Sequence, residues 1–307
     1  MTKVSYSARV KKYLTERSAQ EMGFVKAGRE KKISRCCAKA FLSGAVLFSK
    51  KVRDKYSTIS VETSDFSELI TYLFIHVLKY EPRVELKSTR GRDVFEIGLD
   101  EEMRDRFASF SDLSEYISCP SCFSYFLRGA FIAAGTVTDP KISYHAEFVV
   151  GNEELAKSLF SLLLVENKDA RLIERGSNFV VYIKGNERIS DLFAEIGAQP
   201  YALDVIEKSV EKEMKNSLNR RCNCENANMG KTVSASVDTR AAIEKIKSHG
   251  AWNTLSGELR AAAELRIKYP DASLSELCAL AEGESISRSG LNHRLRKICN
   301  IAKEIEN

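Results

Sequence analysis

The chain lacks any apolar run approaching the roughly 18 to 20 residues that a membrane-spanning helix requires. Its opening, Met1-Thr-Lys-Val-Ser-Tyr-Ser7, has no apolar core of the kind a secretory leader carries. Both absences predict a cytoplasmic protein with no membrane partner. Histidine is scarce: the 307 residues hold four, scattered at His76, His145, His249 and His293. His145, following Tyr144 in an expected strand, reads as a packing residue. No G-x-G-x-x-G, Walker-type phosphate loop or H-E-x-x-H occurs. The motif-borne forms of dinucleotide, nucleotide and zinc-protease chemistry are therefore missing. Aromatic side chains are sparse toward the C-terminus, where Trp252 and Tyr269 are the only candidates for base stacking in residues 216–307. That disfavours the stacked recognition typical of RNA binders.

Eight cysteines are present, grouped as Cys36/Cys37, Cys119/Cys122, Cys222/Cys224, and Cys278 with Cys299. A cytoplasmic setting disfavours disulfides. Cys119-Pro-Ser-Cys122 has the spacing of half a zinc site, but no second C-x2-C and no H-x3-5-H follows. The expectation is buried reduced thiols, with no metal and no cofactor.

Charge is uneven along the chain. Residues 1–55 carry about +11, residues 56–215 about −9 and residues 216–307 about +3, within a net +5. Residues 1–35 read as a basic arm containing one helix near Ser7–Arg17. Lys11, Lys12, Lys31, Lys32, Lys50, Lys51 and Arg53 offer cations to an anionic partner. The acidic middle argues against a phosphate-binding surface over most of that region.

The pattern C-x3-F-L-x-G-A occurs twice, from Cys37 to Ala45 and from Cys122 to Ala130. Matching elements follow each copy. In the first, a helix at 36–48 precedes strands near Lys51–Arg53 and Tyr56–Thr63, a helix at 65–80, and a hairpin of Arg83–Lys87 and Val94–Leu99 turning at 88–92. In the second, a helix at 122–134 precedes strands near Thr136–Thr138 and Ile142–Val150, a helix at 152–165, and a hairpin of Ala170–Glu174 and Phe179–Lys184. The fold class is thus α+β, with two αββαββ repeats at 36–118 and 119–200 forming one pseudo-twofold domain. Gly44 and Gly129 would let the paired helices approach closely. Such a domain does within one chain what a dimer does, so a monomer suffices.

A helical linker is expected at 201–219, then an all-α domain at 220–307. Helices are predicted at 235–248, 255–268, 273–281 and 287–304. Pro270 stops one, Ser273-Leu-Ser-Glu276 is a capping box, Glu282-Gly283-Glu284 turns, and Ser287 caps the last. Residues 272–305 have helix-turn-helix spacing, whose second helix enters the DNA major groove. Leu291, Leu295 and Ile298 form its apolar stripe. Opposite lie Ser289, His293, Arg296 and Asn300, with Asn292 and Lys297 flanking and Arg288 and Arg294 adding charge. Arginine suits guanine, asparagine suits adenine, and serine and lysine suit phosphates. Ser287 opens the phosphate-binding helix start. Upstream, the Asn-rich stretch Arg220–Lys231 is expected to hold a loop, with Arg220, Arg221 and Lys231 touching the DNA backbone.

Four stretches resemble the WhiA family of bacterial DNA-binding regulators: C-C-A-K-A-F-L-S-G-A (36–45), F-L-R-G-A-F-I-A-A-G-T-V-T-D-P-K-I-S-Y-H-A-E-F (126–148), R-R-C-N-C-E-N-A-N-M-G-K (220–231) and S-I-S-R-S-G-L-N-H-R-L-R-K-I (285–298). The resemblance implies a domain similar to LAGLIDADG homing endonucleases joined to a helix-turn-helix similar to the promoter-reading domain of sigma factors. It further implies a nucleoid-associated regulator of sporulation, or of cell division and chromosome segregation. Double-stranded DNA would be its main partner. Another regulator or RNA polymerase would meet the N-terminal domain. Homing endonucleases hold divalent metal with an acid at the end of each repeat helix. Alignment on Gly44 and Gly129 places those positions at Ser49 and Ala134, with the preceding motif acid on Leu47 and Ile132. None of these supplies an anionic oxygen. Asp54 and Asp139 fall five residues later, off the helix ends. No catalytic residue is therefore expected. The competing reading is a non-specific nucleoid-associated or RNA-binding protein.

Overall fold

In the computed structural model, residues 4–25, 33–53, 57–89, 92–107, 112–281 and 286–305 are described. Lys31, Lys32, Asp54 and the expected turn at Glu282–Glu284 lie outside them. Two compact units are present, Met1–Lys212 and Glu213–Asn307. Among the described residues no helix is long and apolar enough to cross a membrane.

The first unit is built on two helices, α2 (Arg35–Phe48) and α5 (Cys122–Ala134). Their inner faces are apolar, with Phe41, Leu42, Phe126 and Leu127 buried. A methyl group on Gly44 would collide with the Phe126 carbonyl oxygen and sit 3.0 Å from Ala130 N. A methyl group on Gly129 would meet the Phe41 carbonyl oxygen and sit 2.9 Å from Ala45 N. The contact is reciprocal, because Phe41 and Phe126 hold the same place in the two repeats. Backbone therefore lies on backbone along the pseudo-twofold axis.

Each repeat adds a four-stranded antiparallel sheet. The first comprises β1 (Lys50–Arg53), β2 (Ser57–Val61), β3 (Arg83–Thr89) and β4 (Arg92–Leu99), ordered β1-β2-β4-β3. The second comprises β5 (Gly135–Val137), β6 (His145–Val150), β7 (Ala170–Arg175) and β8 (Asn178–Lys184), ordered β5-β6-β8-β7. The orders are identical, as two αββαββ repeats require. Alternation turns Ile59, Val61, Ile97 and Leu99 of one sheet, and Ala146, Phe148, Val181 and Ile183 of the other, into the core. Helices α3 (Ser64–Leu73) and α6 (Glu153–Val165) complete the repeats. The helix expected at 65–80 is broken: a π turn occupies Phe74–Leu78, and Lys79 at φ 61° ends it. A short helix, α4 (Glu101–Arg106), follows the first hairpin.

The segment expected as a basic arm packs on this unit, and its helix is longer than Ser7–Arg17. Helix α1 (Tyr6–Glu21) buries Tyr6, Val10, Leu14 and Ser18 at helical spacing, and Tyr6 and Tyr13 each meet Tyr201 with ring centroids 5.6 Å apart. Exposed Arg9 and Lys12, with half-buried Lys11 and Arg17, mask that stripe in the composition. Past its hairpin, the second repeat adds a further helix. Helix α7 (Asn186–Glu195) buries Ile189, Leu192 and Phe193, and the following Ile196 is also buried.

An ionic cluster around the buried Arg128 joins these additions. Arg128 on α5 is 3% exposed; its Nε donates to Ile196 O at 2.6 Å and its Nη1 to Glu21 Oε2 at 2.6 Å. Arg17 Nε reaches the other Glu21 oxygen at 2.6 Å, and its Nη1 donates to Gly197 O at 2.6 Å. Burial alone would raise the Glu21 carboxyl, but the Arg128 and Arg17 guanidiniums hold it below the usual range.

Helix α8 runs unbroken over Gln199–Ser248, 50 residues. The Asn-rich stretch 220–231 is thus helix and not loop. An i,i+4 pair at Arg221–Glu225 (3.0 Å) and the Thr232 hydroxyl on Asn228 O (3.0 Å) accompany it. The stretch contains no proline to stop the helix.

The glycine contact sets an expectation. Gly44→Ala and Gly129→Ala should each cost about 3 kcal/mol, because backbone must move. Gly230→Ala, where nothing lies within 4 Å, should be neutral or stabilising by about 0.5–1 kcal/mol. Urea unfolding midpoints measure this, and equal midpoints for all three would count against the packing described.

Candidate nucleic-acid interface

The second unit packs the end of α8 against α9 (Gly257–Lys268), α10 (Leu274–Leu280) and α11 (Arg288–Glu304). Ile243, Ile246, Leu255, Leu259, Leu277, Leu291, Leu295 and Ile298 form its core. Caps start the helices as the sequence predicts. Ser273 and Glu276 form a reciprocal capping box on α10, and Ser287 Oγ accepts from Gly290 N at 3.1 Å on α11. Arg266 is buried; its Nη1 donates to Ala272 O at 2.6 Å and Pro270 O at 3.3 Å. Ser236 on α8 donates to the same Pro270 oxygen. The turn from α9 to α10 is thereby closed by side chains beneath it.

Helix α11 buries Leu291, Leu295, Ile298 and Ala302. Ser287, Arg288, Ser289, Asn292, His293, Arg296, Lys297 and Asn300 are exposed. The exposed set divides by angle around the helix. Ser289, His293 and Asn300 lie opposite the buried stripe, with Lys297 beside them. Arg288, Asn292 and Arg296 turn toward α8 and line a groove of about 890 Å³, shared with Asn228, Lys231 and Lys245. Arg294 departs from the expected set. It lies on the flank facing α9, where its Nη2 pairs with Glu258 Oε2 at 3.2 Å, so it braces α11 on α9.

Of the expected backbone contacts Arg220, Arg221 and Lys231, Lys231 alone reaches this groove. Arg220 and Arg221 are exposed on α8 about 15 Å along the axis from Lys231. Continuity of α8 separates residues that a loop would have gathered.

Comparison with known proteins accords with this architecture. The family model for the WhiA C-terminal HTH domain matches residues 218–302, and that for the WhiA LAGLIDADG-like domain matches 123–215. A relative from Clostridium botulinum, named "Probable cell division protein WhiA", is 39% identical over 212 residues, covering 69% of this chain and 67% of the relative. A relative of the same name from Clostridium tetani is 35% identical over 258 residues, covering 83% and 78%. The chain belongs to the WhiA family. The crystal structure of full-length WhiA from Thermatoga maritima shares the fold, with a TM-score of 0.57 at 23% identity, covering 98% of this chain and 99% of that one.

In this WhiA-family chain the first unit also holds a constellation that sequence reasoning missed. Cys36 and Cys37, near the start of α2, meet Cys119 and Cys122 at the start of α5, with all four sulfurs within 4.8 Å of one another. All four are free thiols. Hydrogen bonds from Cys122, Cys37 and Cys36 hold the Cys119 thiol down to about 7, while burial pushes Cys37 up to about 12. The sequence expectation sought a second C-x2-C further along the chain. The partners instead stand some eighty residues earlier, as an adjacent pair at the equivalent repeat position. That shared position was the available signal.

Arg266 yields a test. Arg266→Met keeps the length and removes the donors, leaving Ala272 O without this partner, at a cost of about 1–3 kcal/mol. The chain's single tryptophan, Trp252, packs on the core of this unit, so thermal unfolding followed by its fluorescence should show a lower midpoint. An unchanged midpoint would mean the turn does not depend on Arg266.

Proposed function

We propose that this chain is a sequence-specific DNA-binding transcriptional regulator acting in cell division and chromosome segregation or sporulation, and that its endonuclease-like unit does not cut DNA. The observation that carries the DNA reading is the exposed side of α11, where Ser289 and His293 lie opposite the buried stripe and Arg296 turns toward the groove. These side chains offer donors and acceptors to base edges, with Asn292 and Asn300 beside them. The Arg288 and Ser289 amides at the start of α11 have no acceptor within the helix and suit a phosphate, alongside Ser287, Arg288 and Lys297. Lys231, across the groove, adds a second backbone contact, and Arg220, Arg221 and Arg294 stand further from this row.

The same reading assigns the first unit to a protein partner, such as another regulator or RNA polymerase, more than to DNA. Three cations on the sheet face turned away from the helices are already paired. Lys87 meets Glu96 at 2.6 Å, Arg83 meets Glu85 at 2.7 Å and Arg175 meets Glu147 at 3.0 Å. Binding phosphates there would break these pairs. At the far ends of α2 and α5, Ser49 is buried and its hydroxyl donates to Ala45 O at 2.7 Å, while Ala134 has no polar side chain. Asp139 caps its own turn, accepting from Lys141 N at 2.9 Å. Nothing in that set matches the two acids that metal-dependent cleavage uses.

Two measurements test this. Arg296→Ala and His293→Ala should each lose about 1–3 kcal/mol of binding to the cognate site and relax the preference for it over unrelated duplex. Lys231→Ala should weaken all duplexes alike and lower the salt slope by about 1. Equal loss of discrimination in all three variants, or no preference for any duplex over RNA at physiological salt, would overturn the reading. Separately, cognate DNA incubated with the protein and magnesium or manganese should stay intact. Cleavage abolished by Asp139→Asn would show a working nuclease.

A further inference from the structure

Four cysteines converge where the two repeat helices begin. Cys36 and Cys37 are the second and third residues of α2, just after its cap Ser34. Cys122 opens α5, and Cys119 lies one turn before it, its carbonyl accepting from Cys122 N at 2.9 Å. Cys37 and Cys122 are buried, and Cys36 and Cys119 are half-buried. The sulfurs lie 3.4 Å apart for Cys119–Cys122, 3.7 Å for Cys36–Cys119 and for Cys37–Cys119, and 4.0 Å for Cys37–Cys122.

These distances discriminate between possible uses of the thiols. A disulfide brings two sulfurs to about 2.05 Å and leaves the others apart; here four sulfurs share one centre. A zinc ion bound at about 2.3 Å by four tetrahedral thiolates sets their mutual separation at about 3.8 Å. The four distances above bracket that value. An iron–sulfur cluster places several atoms between its thiolates and so holds them further apart.

The surroundings favour thiolate as well. The positive ends of two helices, α2 and α5, meet at the cluster. Ser34 Oγ lies 3.1 Å from Cys36 Sγ and 3.0 Å from Cys37 Sγ, so its one proton can be donated to either sulfur once deprotonated, as outer-sphere groups of metal sites do. We propose that Cys36, Cys37, Cys119 and Cys122 bind one zinc ion, which ties the first repeat to the second at the entry of their paired helices. Four protein ligands leave no open position, so the ion is structural and not catalytic. Two ligands come from each repeat, and the metal closes the long stretch of chain between Cys37 and Cys119.

The test uses the full chain, purified under reducing conditions without chelator. Elemental analysis should find about one zinc per chain, in line with a single four-thiolate site. A Cys222→Ser/Cys224→Ser variant should retain it, since those two cysteines are exposed on α8. Cys119→Ser should bring zinc to background. Because that variant could fail to fold, cobalt exchanged into the unaltered protein supplies an independent reading: the sulfur-to-cobalt charge-transfer band and the strong visible bands of tetrahedral thiolate coordination. Removing zinc with a chelator should lower the thermal midpoint of the first unit, read by tyrosine absorbance, and leave the Trp252 transition in place. Four reduced thiols with no metal, a Cys119–Cys122 disulfide, or an iron–sulfur chromophore would each overturn the proposal.

Discussion

The contact of Gly44 and Gly129 with the opposing helix backbones fixes the distance between α2 and α5, and the first unit is arranged around that distance. No side chain intervenes, so nothing there can flex to absorb a change. Each sheet folds back on its own helix, with Phe131 of α5 meeting Phe148 of β6 edge-on at a centroid distance of 5.8 Å. The two ends of the helix pair, about 20 Å apart, then receive different chemistry. One end gathers four thiols. The other ends at Ser49 and Ala134, neither of which carries an anionic oxygen.

In the second unit a single apolar cluster is joined by directional bonds at the turns. Its core is small, and its turns are closed by named donors: Arg266 and Ser236 on Pro270 O, and Ser273 with Glu276 at the start of α10. These leave the outward side of α11 with little structural duty. Arg294 is the exception, engaged with Glu258. A helix held from beneath can present polar side chains without those side chains also holding it in place.

Much of this was legible in the sequence because it depends on local pattern. The repeated C-x3-F-L-x-G-A located both core helices, alternation placed the inner strands, and the capping box and Ser287 located α10 and α11. The exposed row of α11 followed from the spacing of Leu291, Leu295 and Ile298. What escaped was non-local or masked by composition. The buried stripe of α1 is hidden among cations, and its partners Tyr201 and Asp204 lie nearly two hundred residues away. Asparagine content argued for a loop within α8, but propensity is a weak guide to a segment flanked by helix on both sides. The thiol cluster joins cysteines more than eighty residues apart, and half of it is an adjacent pair outside the usual C-x2-C spacing.

Arg128 occupies the position that Ser43 holds in the first repeat. There the symmetry ends: the serine is a small buried residue, while the arginine reaches Glu21 and the Ile196 carbonyl. Two identical protomers would have to carry the same residue at both places and would offer two equal berths for one helix. Fusing the halves into a single polypeptide removes that obligation. One copy is free to acquire a long cation that seats α1, while the other keeps a short residue, so a fold of near-twofold geometry gains a distinguishable left and right.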